Sequence, residues 1–520
     1  MNRRQRTLAL LRYLLRLVSV GAVRGWSEVL VRLPGTWWRP RAYIALLTWS
    51  RDVFAYEHRR DERRFRAWLR RNQSGSALQT AAVLRVDGRD LACRRVGAGD
   101  PDVEYALIGM DSAEVSESSV GIMLSVARVR DADIVYCDEH VIGAFGPSQP
   151  YFKPGFSPEL LYEEDYVGPV VLVRMSALSR LLRRDSASVS VYLLLLRAVE
   201  LGLSVWHAPG AWVAYRSPRS RSLAEDDAER LQAHLRLRRR RAPLRRPDDT
   251  VDASVIIPTR DRIELLEPCI VSVYERAGTS GLEVIVVDNG SNEAASVRWL
   301  SEAPKRFDRL RVVRLDEPFN WSRLNNFGRR EASGRVAVFL NNDVEIRSDR
   351  WLDGLVESAV QPDLGVIGAM MTYPDGSIQH AGVVIGIGGL ADHIYSGVPA
   401  IPDDGHMFVD PFVSRNVLCC TGACMAIDLE KFDHLGGFDE GFAITGDVEL
   451  CIRAYRRGWR NLYNAKIRMT HFESATRVSQ SLPVQEVEKL RESIAEFVTA
   501  GDPFYNPALS KRGRYPSYLE

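Results

Sequence analysis

The chain has 520 residues, 46% of them hydrophobic, with 69 Lys and Arg against 67 Asp and Glu. That length exceeds one ordinary domain and predicts two or three units with packed cores, while a net charge of +2 gives no global argument for nucleic acid as a partner. Seven scattered cysteines without a CxxC pair argue against a disulfide framework or a zinc site, and read as buried free thiols.

Residues 1–80 form a basic segment rich in Arg, Leu and Trp, and its spacing predicts helix. Its most apolar run, Thr7 to Val23, is broken by Arg12 and Arg16, which share one helix face. It falls short of the roughly 18 uncharged residues of a spanning helix. Leu8, Leu11, Leu14, Leu15 and Val18 cover much of the remaining surface, so the segment reads either as an interfacial amphipathic helix or as core packing. A signal peptide fits poorly, because arginines interrupt the apolar region. Residues 81–216 alternate short strands, such as Tyr105–Ile108 and Asp133–Tyr136, with polar turns. Residues 217–250 are charged. They hold the basic run Arg236–Arg241, end in Arg246-Pro247-Asp248-Asp249, and read as a helical linker with a turn. Local basic density of this kind serves an anionic surface or is simply solvated.

Residues 251–480 are the richest in signal. Ala253–Pro258, Leu282–Asp288, Leu310–Leu315 and Val336–Leu340 read as strands, with a helix between the first two that carries Leu265, Leu266, Ile270 and Val273. Continuous apolar strands alternating with helices predict a mixed, mostly parallel sheet covered by helices on both faces. Ligands of such sheets bind at the carboxyl ends of the strands. The polar clusters Thr259-Arg260-Asp261, Asp288-Asn289-Gly290-Ser291 and Asn341-Asn342-Asp343 therefore converge on one site; the third strand alone ends without one. A carboxylate such as Asp343 at a strand end holds a hard divalent cation against a diphosphate or merely caps a turn. Asp447 falls at the start of a helix that carries Val448, Cys451 and Ile452, a position that favours an ionised carboxylate. Residues 481–520 contain a helix pattern over Val484–Val498, then a tail with Pro and Tyr.

The order of these motifs resembles the family 2 glycosyltransferases. Val255-Ile256-Ile257-Pro258-Thr259 resembles the first strand and nucleotide loop, Val286–Ser291 the second-strand motif, and Asn341-Asn342-Asp343 the DxD position. Gly446-Asp447 stands where the family has an acidic pair, with its first acid missing. His471, in Thr470–Ser474, stands where related enzymes place a histidine near the metal. Phe319–Asn326 and Ile378–Val384 extend the likeness toward bacterial enzymes of O-antigen, capsule or cell-wall glycan assembly. The resemblance implies the GT-A fold of nucleotide-diphospho-sugar transferases. It also implies a divalent metal (Mn2+ or Mg2+) on Asp343 and His471, and donor contacts from Pro258, Thr259, Asp288, Asn325 and Asn342. Asp447 becomes the base of an inverting transfer. His380 is either an acceptor or pyrophosphate contact or a structural histidine. The implied partners are a UDP- or dTDP-linked sugar and a glycan or lipid-linked acceptor, without nucleic acid. The implied location is the cytoplasm, at the inner face of the membrane if residues 1–80 bind there.

Residues 81–216 resemble part of the same family through Asp133–Glu139, Tyr151–Pro158 and Trp206–Pro209. No Pro-Thr loop precedes them, and Ser186–Tyr192, where a catalytic helix is expected, carries no acid. The segment therefore reads as a truncated, inactive GT-A-like domain that braces the next one or binds acceptor. Three rival readings are weaker. A non-catalytic glycan-binding scaffold conflicts with intact Asp343, Asp447 and His471. A nucleotidyltransferase wants a Gly-rich basic loop after the first strand, and a processive synthase wants spanning helices.

Overall fold

Apolar strands that must be covered on both faces dictate the architecture. A computed structural model of the chain describes residues 83–87, 104–109, 113–143, 146–182, 189–241, 251–401, 407–472 and 482–518. The predicted helical segment 1–80, the Arg246–Asp249 turn and Cys93 lie outside these residues. No helix among the described residues is long and apolar enough to cross a membrane.

Two mixed sheets form. The first contains β1 (Val83–Asp87), β2 (Tyr105–Gly109), β3 (Ala113–Val115), β4 (Ile134–Gly143), β5 (Gly146–Tyr151), β6 (Val171–Arg174) and β7 (Val205–Tyr215). Their order is β1-β2-β6-β4-β7-β3, with β5 beside β4. The second contains β8 (Ala253–Thr259), β9 (Leu282–Asp288), β10 (Leu310–Arg314), β11 (Val336–Leu340), β12 (Val344–Ile346), β13 (Leu364–Thr372) and β14 (Ile378–His380). After a separate hairpin of β15 (Val383–Ile385) and β16 (Ala391–His393), it is completed by β17 (Arg415–Val417), β18 (Cys424–Asp428) and β19 (Arg460–His471). Its order is β10-β9-β8-β11-β18-β13-β19-β12. The first four strands are parallel; β18 and β12 run against their neighbours.

The helices are α1 (Glu117–Val129), α2 (Pro158–Leu161), α3 (Met175–Leu182), α4 (Val191–Leu201), α5 (Glu225–Arg241), α6 (Ile263–Glu275) and α7 (Ala294–Arg306). They continue as α8 (Trp321–Glu331), α9 (Trp351–Ala359), α10 (Leu429–His434), α11 (Gly446–Arg456) and α12 (Val484–Ala500). All four strands expected between 251 and 340 form within a residue of their expected bounds, and the C-terminal helix extends two residues past Val498.

The two sheets repeat one plan. The path β1-β2-β6-β4-β7-β3 corresponds strand for strand to β8-β11-β18-β13-β19-β12, with the same parallel or antiparallel sense at each joint. Even an irregularity is shared. The β4–β7 register breaks between Cys137↔Ala208 and Asp138↔Trp212, and the β13–β19 register between Ala369↔Asn464 and Met370↔Arg468. In each case the longer strand bulges by the same three residues. Among the described residues the first sheet has no counterparts of β9 and β10.

The sheets share a core. Phe152, Leu194 and Trp212 of the first half belong to the same buried apolar cluster as Met370, Phe408 and Tyr463 of the second. Residues 501–518, expected only as a tail, thread into this junction. Asn506 donates to Asp138 Oδ1 at 3.0 Å and to the Lys153 carbonyl at 2.9 Å, and Tyr518 meets Phe152 edge-on. The charged linker is helical, as read, but it is docked rather than a solvated spacer. Leu231 and His234 are buried, and Arg238 of the basic run reaches Glu159 at 2.8 Å and Asp363 at 3.2 Å.

Candidate active site

The site lies at the carboxyl ends of β8, β9 and β11. Pro258 is the penultimate residue of β8, two residues past the last one paired with β11, so its missing N–H costs no bond to β11. The chain then turns through Asp261 and Arg262, both at positive φ (52° and 55°), a conformation that non-glycine residues adopt only where neighbours enforce it. Here the Asp261 carboxylate accepts the N–H groups of Asn292 and Glu293, both at 2.9 Å, and the Asp261 N–H donates to Ser291 Oγ at 2.8 Å. This ties the loop after β8 to the loop after β9. Thr259 Oγ1 accepts a hydrogen bond from Asn342 Nδ2 at 3.0 Å, which joins the first loop to the one after β11.

Asp288 is buried. One carboxylate oxygen accepts the Ser291 N–H at 2.8 Å, and the other pairs with Arg314 at 2.7 Å. Arg314 ends β10, the strand that looked empty of site residues. It was missed because a lone half-exposed arginine has no motif around it.

Asp343 and His471 meet where β12 pairs with the end of β19. His471 Nε2 stands 3.1 Å from Asp343 Oδ1, and both side chains are buried. The other ring nitrogen of His471 has no partner among the described residues. No cluster of three or more His, Cys, Asp or Glu suited to a metal occurs among the described residues. The pair does offer adjacent oxygen and nitrogen donors, and a divalent ion that takes its remaining ligands from a diphosphate and water needs few protein ligands. The residues therefore fit such an ion.

Asp447 occupies the first turn of α11. Its Oδ2 accepts the Gly422 N–H at 2.7 Å and its Oδ1 the Val448 N–H at 2.8 Å. A chain of contacts connects it to the strand-end cluster. The loop at Gly422 passes so close to the Trp321 ring that a β-carbon would lie 2.8 Å from it. Trp321 Nε1 donates to Asn341 Oδ1 at 3.1 Å, and Asn341 N donates to the Ala423 carbonyl at 3.0 Å. Gly446, in place of the family's first acid, has a local reason: a β-carbon there would sit 2.2 Å from Ser322 Oγ.

Over residues 254–436 the chain matches the family described as Glycosyl transferase family 2. This segment is a family 2 glycosyltransferase domain. The O-antigen biosynthesis protein RfbC of Myxococcus xanthus is 33% identical over 406 residues, 72% of this chain and 31% of RfbC. The uncharacterized protein y4gI of Sinorhizobium fredii is 31% identical over 443 residues, 78% of this chain and 48% of that protein. The chain thus spans less than half the length of either relative. A solved structure of GalNAc-T7 with UDP, GalNAc and Mn2+ is 18% identical, covers 47% of this chain and 48% of its own, and has a TM-score of 0.39.

Within the transferase domain two expected site residues stand apart. Asn325 is wholly buried on α8 and donates to the Trp321 carbonyl of its own helix at 2.9 Å. His380 is also wholly buried, 3.1 Å from His393 Nδ1 and edge-on to Tyr463. Burial, then the neighbouring His393 and Arg415, push its pKa well below the usual histidine range. Neither residue presents an atom to solvent, and Asn325 Oδ1 and His380 Nε2 have no hydrogen-bond partner among the described residues. The six described cysteines are free and buried, as expected.

The repeat shows what the first half has in place of this site. Val344 pairs with His471 as Ala113 pairs with Tyr215, so Tyr215 stands at the histidine position. The register offset that relates Ala208 to Asn464 at the two bulges also relates Tyr215 to His471, and it puts Val191 at the place of Asp447. Val191 is buried and its side chain carries no proton acceptor.

Proposed function

We propose that this chain is an inverting, divalent-metal-dependent glycosyltransferase. It moves a sugar from a UDP- or dTDP-linked donor to a hydroxyl of a lipid-linked or polysaccharide acceptor in cell-surface glycan synthesis. The observation that carries the reading is the Asp343–His471 pair at 3.1 Å beside the bonded Thr259 and Asn342, with Asp447 across the Trp321–Gly422 contact. The family match and the name of RfbC support the reaction class and the glycan setting.

Asp343 and His471 would hold the metal, which when bound neutralises charge on a diphosphate leaving group. Thr259, Asn342 and Asp288 would orient the nucleotide side of the donor. Asp447 would take the proton from the acceptor hydroxyl as its oxygen attacks the anomeric carbon. One displacement without a protein nucleophile inverts that carbon. The first half, with Val191 and Tyr215 in the places of Asp447 and His471, would act as a non-catalytic brace. The same contrast weighs against an inactive scaffold as the role of the second half, which keeps both groups.

The test is a donor screen. The purified chain is mixed with manganese and a panel of nucleotide sugars, and release of nucleoside diphosphate is measured. Release from at least one donor is expected, and excess EDTA should stop it. Full release in EDTA would refute the metal requirement, and silence across the whole panel with membrane glycan present would favour the scaffold.

A further inference from the structure

We propose that Glu486 is a positioning residue for Asp447, holding the loop from which that carboxylate projects; the proposal rests on the reading of Asp447 as the base. Glu486 lies on α12, beyond the matched family segment and beyond every motif read from the sequence. Its side chain is buried and accepts four hydrogen bonds. Oε1 takes the N–H of Ile444 at 2.9 Å, the N–H of Thr445 at 2.7 Å and the Thr445 hydroxyl at 2.8 Å. Oε2 takes the N–H of Ala443 at 3.1 Å. Three successive backbone N–H groups converging on one carboxylate make a fixed anion cradle. The next two residues are Gly446 and Asp447.

The opposite side of the loop is held as well. Trp321 N donates to the Ala443 carbonyl at 2.9 Å, and Ser322 Oγ donates to the Phe442 carbonyl at 2.5 Å. Thr445 is the N-cap of α11, yet its side chain makes no capping bond because its hydroxyl is turned to Glu486. The loop is therefore clamped between the start of α8 and the start of α12.

The first half supplies an internal comparison. Asp227 is the third residue of α5 as Glu486 is of α12, and each bonds the N-cap hydroxyl of the helix that precedes the last long strand of its half. Ser190 Oγ donates to Asp227 Oδ1 at 2.6 Å, and that is the one hydrogen bond to Asp227 among the described residues. Ser190 also caps its own helix by accepting the Leu193 N–H. A carboxylate on this hydroxyl is thus part of the repeated fold. The longer side chain and its three added N–H partners occur in the half that carries Asp447, where the equivalent position of the other half is Val191. Packing alone is served by the Asp227 arrangement. A base, in contrast, must stay within hydrogen-bond reach of the acceptor oxygen, and a displacement of about 1 Å costs on the order of 100-fold in rate.

The experiment compares the full-length wild type, E486Q, D447N and the E486Q/D447N double variant, with D227N as a control. Hydrogen exchange needs no identified substrate. In E486Q the amides of 443–445 should exchange at least about tenfold faster, while those of 448–456 stay protected, because the glutamine amide places an N–H where Ala443 needs an acceptor. With manganese and the donor active in the screen, E486Q should lower kcat about tenfold and leave the donor KM within about twofold. In the D447N background E486Q should cost nothing further, since its effect passes through Asp447. Unchanged exchange at 443–445, an equal loss in both backgrounds, or an equal loss in D227N would each overturn the proposal. If E486Q fails to fold, Thr445→Val removes one of the four bonds at constant size and should give the same pattern at a few-fold level. Wild-type turnover by D447N would overturn the base itself, whatever E486Q does, whereas a loosened loop with unchanged kcat would overturn only the positioning role.

Discussion

At the scale of single residues, Asp447 carries the sharpest chemical demand. Asp447→Asn should cut turnover by about 10²–10⁴-fold, the usual contribution of a general base, while donor binding survives. The asparagine turns an amide N–H2 toward one of the two backbone donors at Gly422 and Val448, so a small fall in melting temperature should accompany the loss. Turnover at the wild-type level would refute the assignment. Asp502 makes a different prediction. Burial lifts its carboxyl from the usual 3.8 to about 6, against the N–H groups of Ile385 and Phe504 and the charge of Lys511. A pKa raised in the folded state means that the folded chain binds this proton more tightly than the unfolded chain. The associated stability is complete at pH values below the unfolded pKa and is lost as pH rises through about 6, a change of about 3 kcal/mol. Asp502→Asn stays neutral, so between about pH 4 and 7 the wild type should lose melting temperature relative to the variant. Parallel curves over that range would show that Asp502 is not the source.

Among the elements, those with strong periodicity were legible. β8, β9 and β11 are continuous apolar runs because both faces are covered, and their strand-end clusters did converge. β10 looked empty because Arg314 reaches the site through the neighbouring strand, where its partner Asp288 lies 26 residues earlier in the chain. α5 was read as a linker because its composition is that of a solvated helix. Its Arg238 is instead neutralised from two directions. Arg238 and Arg460 form a four-charge network with Glu159 and Asp363, linking α2, α5 and the start of β19. Burial pushes the Glu159 pKa up, but Arg460 and Arg238 more than reverse this and hold it low. Arg238→Ala leaves a buried carboxylate with one partner and should destabilise by roughly 2–4 kcal/mol, less than full loss of a buried pair. Urea unfolding checks this, and a change under about 0.5 kcal/mol, as at an ordinary surface site, would show that the network is dispensable.

For the whole molecule, the repeat and the shared core make the two halves a single packing problem. The C-terminal residues join it through Asn506, Asp502 and Tyr518 rather than trailing free. A lipid-linked acceptor would be concentrated at a membrane surface, and Arg3, Arg4, Arg6, Arg12 and Arg16 punctuate a leucine-rich segment with Trp26, Trp37 and Trp38 nearby. Peripheral attachment through residues 1–73 is therefore proposed, at about 1 kcal/mol for each basic residue near an anionic surface. The full chain should float with anionic liposomes at low salt and be partly released at high salt, while a chain starting near residue 80 should not float. Equal flotation of both, or of neither, would refute the anchor.

The sequence by itself determined the second half: strand order in the chain, the polar clusters at strand ends, the family resemblance and three of the chemical groups. These are local properties, written in periodicity and in short motifs. It also showed that the first half lacks the expected acid. Only the tertiary structure decided which positions replace the others, because Tyr215 corresponds to His471 through strand register, and register is a pairing between distant segments. Packing likewise set His380 edge-on to Tyr463 of β19. Contact across the fold brought Glu486, 39 residues beyond Asp447 in the chain, onto the loop that precedes it. No local pattern encodes such a pairing, because a buried carboxylate finds its donors in three dimensions.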